Sequence, residues 1–533
     1  MFNVWEKIIV CVIVSVLACM AMRKPLGAMQ QSGYKNRVFL RWLRRRDNLL
    51  FNRLCVLALC LALASAITAL CASFFGTKGA VTCSLIVFVA LMVAYLYADK
   101  KFALKVALKP SGRANRLFYA TLFFTACVTY LLVAVLDALA VINGSKLYAL
   151  IAFVPLAILP VLMPYIMCLA NLSIGWAENV RNAKFVKRAG QVLDESQMIR
   201  IGVVGSYGKT SVKNILKTLL EEKYSVVATP ESYNTPIGIA KTVFSPEFTG
   251  KQIFIAEMGA RKAGDIKQLC DLVKPDYALF TGVCSQHVET FGSKENVFKE
   301  KSEILRYPVK KAVCGAGLKA YGLDAFGKDK VMVLDENATA GTEFFATETR
   351  LQMQVNGKEF QGKTALLGRA GAENIALCLA LCIELGLSEE ELARGIEKLQ
   401  PIPHRLQLIE SNGVYVLDDG YNANPKGAKE AIDALQRFVG RKCIVTPGIV
   451  ECGVLEVEIN AELGKEIALA GVDKVILVGE TLVTAVMDGY LKAGGKASAI
   501  EKANTLSLAT EKLKAWIKTG DAVLFLNDLP DVY

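Results

Sequence analysis

A glycine-bracketed turn that carries a lysine has the residue types needed to hold the phosphates of a nucleotide. It follows an apolar run typical of a buried strand, and the stretch Ile201–Ser211 reads IGVVGSYGKTS. The glycines let backbone N–H groups face an anion, Lys209 adds positive charge, and Thr210 offers a hydroxyl to Mg²⁺. The stretch therefore predicts binding of ATP with Mg²⁺. The candidate phosphate-binding residues are Gly205, Ser206, Tyr207, Gly208, Lys209, Thr210 and Ser211.

The same turn also has an explanation that needs no ligand. The common phosphate-loop pattern begins with a glycine that would fall at Val203, so the match is to the shorter pattern Gly-x-x-Gly-Lys-Thr. A glycine-rich turn can simply close the junction between a strand and a helix. Residues further along the chain must therefore decide between the two.

Two further polar groups follow predicted strands. The apolar run Ile253–Ala256 ends at Glu257, and the run Tyr277–Thr281 ends shortly before His287. Because ligands collect at the carboxyl ends of parallel strands, we expect Glu257 and His287 to lie beside the phosphate loop. Taken singly, such a carboxylate can be a helix cap and such a histidine can be structural.

The first third of the chain is too apolar for a wholly soluble protein. The 533 residues are 53% hydrophobic with a mean hydropathy of +0.36, and the excess lies in stretches about long enough to cross a bilayer. Residues 1–176 are therefore predicted to form a transmembrane region of about five helices. The predicted spans are Ile8–Met22, Leu54–Phe75, Ala80–Ala98, Leu117–Ile142 and Leu147–Trp176.

Positive charge predicts the orientation of these spans. The connection Arg23–Arg53 holds nine Lys or Arg and the connection Asp99–Arg116 holds six, whereas Gly76–Gly79 and Asn143–Lys146 hold one lysine each. Since basic connections stay in the cytoplasm, we expect the residues after Trp176 to be cytoplasmic. Much of the net charge of +12 then faces a lipid bilayer, and no nucleic-acid partner is expected.

Strands and helices alternate after the membrane region. Residues 177–198 have the spacing of an amphipathic linker helix, residues 199–400 predict an α/β ATP-binding domain, and residues 401–533 predict a Rossmann-like C-terminal domain. Pro401 and Pro403 mark a hinge between the last two. The 15 cysteines include no C-x-x-C pair, which argues against a zinc ribbon and fits a reducing cytoplasm.

Seven motifs of the soluble part occur in the order typical of one enzyme family. They are GSYGKTS from Gly205, YNTPIGIAKT from Tyr233, EMGA from Glu257, HVETFGSKENVFKEKSEI from His287, the segment Gly368–Asn374, HRL from His404 and DDGYNANP from Asp418. Over about residues 195–533 the chain resembles the Mur ligases, the ATP-dependent amide ligases of peptidoglycan precursors. The last motif is most similar to the branch that adds D-alanyl-D-alanine to a UDP-muramoyl tripeptide.

The resemblance implies roles for individual residues. Lys209 and Thr210 would hold the β- and γ-phosphates and a first Mg²⁺, and Glu257 would be a further metal ligand. His287 would bind a second metal ion, and Lys301 would be the lysine that the family carbamylates with CO₂. The implied catalytic residues are Lys209, Glu257, His287 and Lys301. The implied metal ligands are Thr210, Glu257, His287 and carbamylated Lys301. The implied nucleotide contacts outside the loop are Asn374, Arg405, Asp419, Tyr421 and Asn424.

The chain also departs from the family pattern. Ala370 and Gly371 stand where the family usually has histidine and asparagine, which changes contacts expected on the adenine side, and Gly282 stands in place of an asparagine. The family branch begins with a soluble domain that grips the UDP-sugar, and the predicted membrane spans occupy that position here. We therefore expect that the acceptor could be membrane-borne.

The resemblance implies a ligase that joins a carboxylate to an amine through an acyl phosphate, in peptidoglycan precursor synthesis. Its expected partners are ATP, a carboxylate substrate, an amine such as D-alanyl-D-alanine, the lipid bilayer of a bacterial plasma membrane and other proteins of envelope synthesis. One alternative is a ligase for another envelope polymer, such as poly-γ-glutamate. A second alternative is a membrane scaffold or transporter component that binds ATP without forming amides.

Overall fold

The computed structural model describes residues 4–44, 49–100, 108–142, 156–284, 291–421, 424–450, 452–479 and 482–527. The chain divides into two units, Met1–Arg181 and Asn182–Asp528. The first consists of helices, and the second combines helices with three sheets. The α/β architecture predicted for the soluble part is therefore confirmed.

Apolar helices form the first unit. Two of them, Gly112–Val135 and Leu159–Glu195, are long and apolar enough to cross a membrane, and the pair Val4–Met20 and Arg23–Gln31, bent by 50°, would add a third span if counted as one. These are candidate spans, and the five-helix membrane region stays a prediction. The helices are α1 (Val4–Met20), α2 (Arg23–Gln31), α3 (Asn36–Leu43), α4 (Leu49–Asp99), α5 (Gly112–Ile142) and α6 (Leu159–Glu195).

Two predicted boundaries in this region are wrong. Helix α4 is 51 residues long and continues through Gly76–Gly79, where the sequence predicted a turn between two spans. This segment contains no proline, and a glycine inside a helix costs only about 1 kcal/mol relative to alanine, so the flanking helix formers carry the helix across it. The predicted linker helix is likewise not separate, because its residues up to Glu195 continue α6.

A parallel six-stranded sheet organises the first part of the second unit. Its strand order is β2-β3-β1-β4-β5-β6, with β1 paired to β3 and β4 so that Val203 lies beside Glu257. The strands are β1 (Ile199–Val204), β2 (Val226–Ala228), β3 (Ile253–Glu257), β4 (Tyr277–Phe280), β5 (Lys311–Cys314) and β6 (Val331–Val333). The helices are α7 (Lys209–Leu220), α8 (Pro236–Val243), α9 (Asp265–Val273) and α10 (Lys294–Lys301).

A small antiparallel sheet and two helices complete this part. The sheet has the order β7-β8-β9, and α11 packs with α7 in one hydrophobic core through Ile375 and Leu216. Its elements are β7 (Glu343–Phe344), β8 (Thr349–Val355), β9 (Lys358–Thr364), α11 (Gly368–Glu384) and α12 (Glu389–Glu397).

A second six-stranded sheet forms the C-terminal part. Its order is β10-β11-β15-β12-β13-β14, and only β10 is antiparallel to its neighbour. The strands are β10 (Gln407–Ser411), β11 (Val414–Asp419), β12 (Lys442–Thr446), β13 (Lys474–Val478), β14 (Ile500–Ala503) and β15 (Ala522–Leu526). The helices are α13 (Pro425–Gln436), α14 (Glu456–Leu469), α15 (Val483–Lys492) and α16 (Leu506–Trp516).

Candidate active site

The phosphate loop joins β1 to α7 in a conformation that requires glycine. Gly205 and Gly208 have φ values of 148° and 74°, where side chains are disfavoured. A Cβ atom on Gly205 would lie 1.9 Å from Thr281 Oγ1, and one on Gly208 would lie 3.0 Å from Asn374 Oδ1. The loop is therefore packed closely between β4 and α11, and α7 begins directly behind it at Lys209.

The polar groups of this loop are suited to an anion. Lys209 Nζ donates to the Gly205 carbonyl oxygen at 2.9 Å, and burial lowers its pKa, an effect that Glu257 opposes. Within the described residues, the buried Ser206 hydroxyl has no hydrogen-bond partner. A bound phosphate would satisfy that hydroxyl and the N–H groups at the start of α7, so the loop fits a nucleotide.

Glu257, at the end of β3, is held from three sides. Thr210 Oγ1 donates to its Oε2 at 3.0 Å, and Asn234 Nδ2 donates to its Oε1 at 3.1 Å. Lys213 Nζ also lies 3.2 Å from Oε2. The carboxylate is only 1% exposed, so the predicted position of Glu257 beside the loop is correct.

A hydroxyl and a carboxylate in contact supply the oxygen ligands that Mg²⁺ prefers. Thr210 and Glu257 could therefore hold one Mg²⁺, with phosphate oxygens and water completing its shell. Among the residues that the structure describes, no group of three or more His, Cys, Asp or Glu is placed to hold a metal ion. His287, the predicted ligand of a second ion, lies outside the described residues.

Lys301 ends α10 as a buried lysine, 1% exposed. Burial, reinforced by the neighbouring Lys209 cation, lowers the pKa of Lys301 to about 7. The preceding residue, Glu300, fixes this end of the helix by accepting hydrogen bonds from the N–H groups of Gly264 and Ile266, both at 2.8 Å. The sequence also allowed Lys301 to lie on a solvated helix face, and the structure excludes that alternative.

A cleft lies between the phosphate loop and the elements that follow β9. Eight of the twelve predicted nucleotide contacts line it directly, and the other four, Gly205, Ser206, Lys209 and Thr210, belong to the phosphate loop. The lining includes Tyr207, Gly208, Ser211, Asn374, Arg405, Asp419, Tyr421 and Asn424.

Arg405 is positioned by an unusual backbone. His404 and Leu406 on either side of it have φ values of 59° and 48°, a left-handed conformation that residues other than glycine adopt at a cost. Asp419 Oδ1 accepts the Leu406 N–H at 3.1 Å and stabilises this turn. Arg405 Nη1 donates to the Tyr421 carbonyl oxygen at 3.0 Å, with the guanidinium 4.6 Å from the centre of the Tyr421 ring.

Comparison with known proteins decides the family. The Mur ligase middle domain matches residues 203–382, and the Mur ligase glutamate ligase domain matches residues 404–527. The UDP-N-acetylmuramoyl-tripeptide–D-alanyl-D-alanine ligase of Treponema pallidum is 30% identical over 336 residues, which cover 61% of this chain and 71% of that relative. The chain belongs to the Mur ligase family. The enzyme of the same name from Bacillus subtilis is 29% identical and covers 61% of this chain, which spans 72% of that enzyme.

Solved structures agree with this assignment. The MurF ligase from Thermotoga maritima in complex with ADP is 27% identical, with a TM-score of 0.57, and the match covers 65% of this Mur ligase and 80% of that chain. MurF from Acinetobacter baumannii, 22% identical with a TM-score of 0.59, shares the fold over 65% of this chain and 77% of its own. This Mur ligase is accordingly an ATP-dependent, ADP-forming ligase that makes C–N bonds. Its N-terminal unit is helical and is not a UDP-binding domain.

Three residues of the Mur ligase site were missed by sequence reasoning. Lys213 follows the helical spacing of α7 and reads as a surface charge, yet it is 1% exposed. Lys426 Nζ lies 2.9 Å from Glu373 Oε2 and 5.0 Å from the centre of the Tyr207 ring. Glu430 Oε2 accepts the Ala370 N–H at 2.7 Å. No local pattern could reveal these partners, because each lies dozens of residues away along the chain.

Proposed function

We propose that this Mur ligase activates the carboxylate of a peptidoglycan precursor as an acyl phosphate and joins it to an amine, with D-alanyl-D-alanine as the first candidate. The relatives that carry this activity in their names match 61% of the chain. The observation that carries the proposal is the contact of Thr210 with buried Glu257 beneath the phosphate loop. This contact supports the proposal because it supplies a pair of oxygen atoms of the kind that Mg²⁺ prefers, beside the loop that would hold the phosphates.

Different residues of the chain would perform different steps of such a reaction. The loop N–H groups and Lys209 would hold the phosphates and neutralise their charge, which is the main requirement of phosphoryl transfer. Arg405 and Asn374, on the cleft wall, would orient the nucleotide. ATP with Mg²⁺, when bound, supplies the phosphoryl group. No side-chain nucleophile is required, because the amine itself attacks the activated carbonyl.

We further infer that Lys301 works as a carbamate. CO₂ adds to a neutral amine, and a buried lysine with a pKa of about 7 is largely neutral above that pH. Carbamylation would replace a cation near Lys209 by an anion able to orient a metal ion. Thr210, Glu257 and His287 would be the other metal ligands of the proposed two-ion site.

The N-terminal unit supports the proposal of a membrane anchor. Its candidate spans and basic connections favour a multi-pass protein whose catalytic domains face the cytoplasm. An anchored enzyme without a UDP-binding domain could take its acceptor from a lipid-linked precursor. A soluble UDP-linked acceptor is the other form that the substrate could have.

Purified full-length protein in detergent tests this proposal. It is mixed with ATP, Mg²⁺, D-alanyl-D-alanine and either UDP-muramoyl tripeptide or its lipid-linked form, and phosphate release and product mass are measured. Phosphate release together with a product larger by one dipeptide, less water, is expected. Amide products formed when glutamate replaces D-alanyl-D-alanine as the amine would favour the poly-γ-glutamate alternative, and ATP binding without any amide product would favour the scaffold.

A further inference from the structure

One part of the nucleotide cleft combines an apolar surface with the carboxylate of Glu430. Leu366, Leu367, Ala370, Gly371 and Ile402 line it together with Glu430 of α13. Apolar walls accept the flat faces of a base, and a few placed polar groups then decide which base is bound. Ala370 and Gly371 offer only backbone groups for this purpose, in contrast to the histidine and asparagine typical of the family.

Glu430 uses one of its oxygens to cap a helix. Helix α11 begins at Gly368, and its N-cap residue Leu367 has no side chain that could bond the free N–H groups of the first turn. Glu430 Oε2 accepts one of them, the Ala370 N–H, at 2.7 Å, where a negative charge is also favoured by the helix dipole. This contact fixes the carboxylate at the cleft wall.

The second oxygen of Glu430 is available to a ligand. Within the part of the chain that the structure describes, Oε1 accepts no hydrogen bond, although Glu430 lines the cleft. Lys426, the lysine of the same helix that lines the cleft, is engaged by Glu373 at 2.9 Å. A carboxylate oxygen can only accept hydrogen bonds, so it selects a ligand group that donates.

We propose that Glu430 determines base specificity by accepting a hydrogen bond from the exocyclic amine of the bound nucleotide's base. This inference rests on the proposed function, because that function places the nucleotide in the cleft. Adenine offers a 6-amino group, whereas hypoxanthine has a 6-oxo group that a carboxylate repels. Glu430 thus takes over the base-reading role for which Ala370 and Gly371 carry no side-chain group.

Nucleotide affinity of the full-length protein in detergent tests this proposal. The probes are ATP, purine riboside triphosphate, which lacks the 6-amino group, and inosine triphosphate, which has a 6-oxo group. We expect the wild-type protein to bind ATP about ten- to a hundredfold more tightly than the other two, as for a hydrogen bond to a charged group. Equal affinity of the wild-type protein for all three would overturn the proposal.

Two substitutions separate base reading from helix capping. In Glu430→Gln the amide oxygen can still accept the Ala370 N–H, which leaves the NH₂ group facing the base, so the preference should reverse toward inosine triphosphate. In Glu430→Ala the affinities for ATP and purine riboside triphosphate should become equal. If Glu430 has a purely structural role, both variants should keep the wild-type ratio of affinities for ATP and the other two nucleotides. If Glu430→Ala does not fold, this affinity ratio in Glu430→Gln alone decides between base reading and helix capping.

Asp433→Asn provides the matched control. Asp433 is an exposed carboxylate on the same helix and does not line the cleft, so its amide variant should keep the wild-type ratio. Product analysis is run in parallel. If the base preference depends on Glu430 but no amide forms, this inference is sustained and the proposed ligase reaction is rejected. If an amide forms but the Glu430 variants keep the wild-type ratio of nucleotide affinities, the ligase reaction is sustained and this inference is rejected.

Discussion

Two buried lysines of the site, Lys213 and Lys301, differ in whether an anion pairs with their charge. Lys213 has a carboxylate partner, Glu257, at 3.2 Å, whereas Lys301 makes no ion pair with any residue that the structure describes and has a pKa lowered to about 7. A buried charge is stable only when it is paired or neutralised. The first lysine is therefore suited to hold a carboxylate in place, and the second is suited to lose its proton and react.

Activity should depend on CO₂ through Lys301. Below a pH of about 7 the amine is mostly protonated and cannot react, and above it the neutral amine can take up CO₂. We expect added bicarbonate to raise phosphate release from CO₂-depleted enzyme much more at pH 8 than at pH 6. Lys301→Ala should lose nearly all turnover at any bicarbonate concentration, about a hundredfold or more. Bicarbonate-independent activity of the wild-type enzyme would contradict this role.

Removing the Lys213 charge should destabilise the second unit. Lys213→Met leaves the Glu257 carboxylate buried beside Thr210 and Asn234 without its ion-pair partner, and breaking a buried pair costs about 3–5 kcal/mol. Chemical denaturation, followed by the fluorescence of Trp516, measures the change in the free energy of unfolding. Lys217→Met is the control, because this lysine lies on the same helix in an exposed pair with Glu221 at 3.7 Å and should change the free energy by less than about 0.5 kcal/mol.

Helix α13 carries the cleft residues Lys426 and Glu430, and its start depends on the N-cap residue Asn424. Asn424 Oδ1 accepts the Gly427 N–H at 3.1 Å as the N-cap, followed by Pro425 at the first helical position. Asn424→Ala should lower the free energy of unfolding by about 1 kcal/mol, and Asn424→Asp should preserve it, since aspartate caps equally well. Thermal unfolding measures both. Equal losses in the two variants would show that capping is not what Asn424 contributes.

Elements set by local pattern were predictable from the sequence, and pairs of distant residues were not. The strand before Gly205, the helix after Gly208 and the position of Glu257 follow from apolar runs and glycines. The contact of Glu430 with Ala370 joins residues 60 positions apart, and nothing in the periodicity of α13 distinguishes Glu430 from a solvated charge. The continuity of α4 through Gly76–Gly79 was missed for a different reason, because glycines weaken a helix without ending it.

At the scale of the whole molecule, the chain couples a helical unit to a ligase with the architecture of its relatives. The matched domains occupy residues 203–382 and 404–527, and the N-terminal unit lies outside both. If the helical unit anchors the ligase, as proposed, the enzyme would work at the membrane surface, where a lipid-linked substrate would be concentrated. Its catalytic domains would then have to face the cytoplasm, because ATP is there.

The charge of the connections predicts that orientation. The segment Asp99–Arg116 carries six Lys or Arg, whereas Asn143–Lys146 carries one lysine. An alkaline phosphatase domain, which is active only outside the cytoplasm, should therefore be inactive when fused after residue 110 and active when fused after residue 144. A fluorescent protein that folds only inside should give the opposite pattern at the same two sites.

The same fusions also test how many times the chain crosses the membrane within helix α4. If the second and third predicted spans are separate crossings, a phosphatase fused after Gly79 should be active, whereas its fusion after residue 110 stays inactive. If α4 crosses once as a single helix, the chain crosses one time fewer, and a fusion after residue 110 should then lie on the opposite side from the connection Arg23–Arg53. Activity after residue 110 would contradict the five-span prediction. It would place the basic connection Asp99–Arg116 outside the cell, against the distribution of positive charge in the sequence.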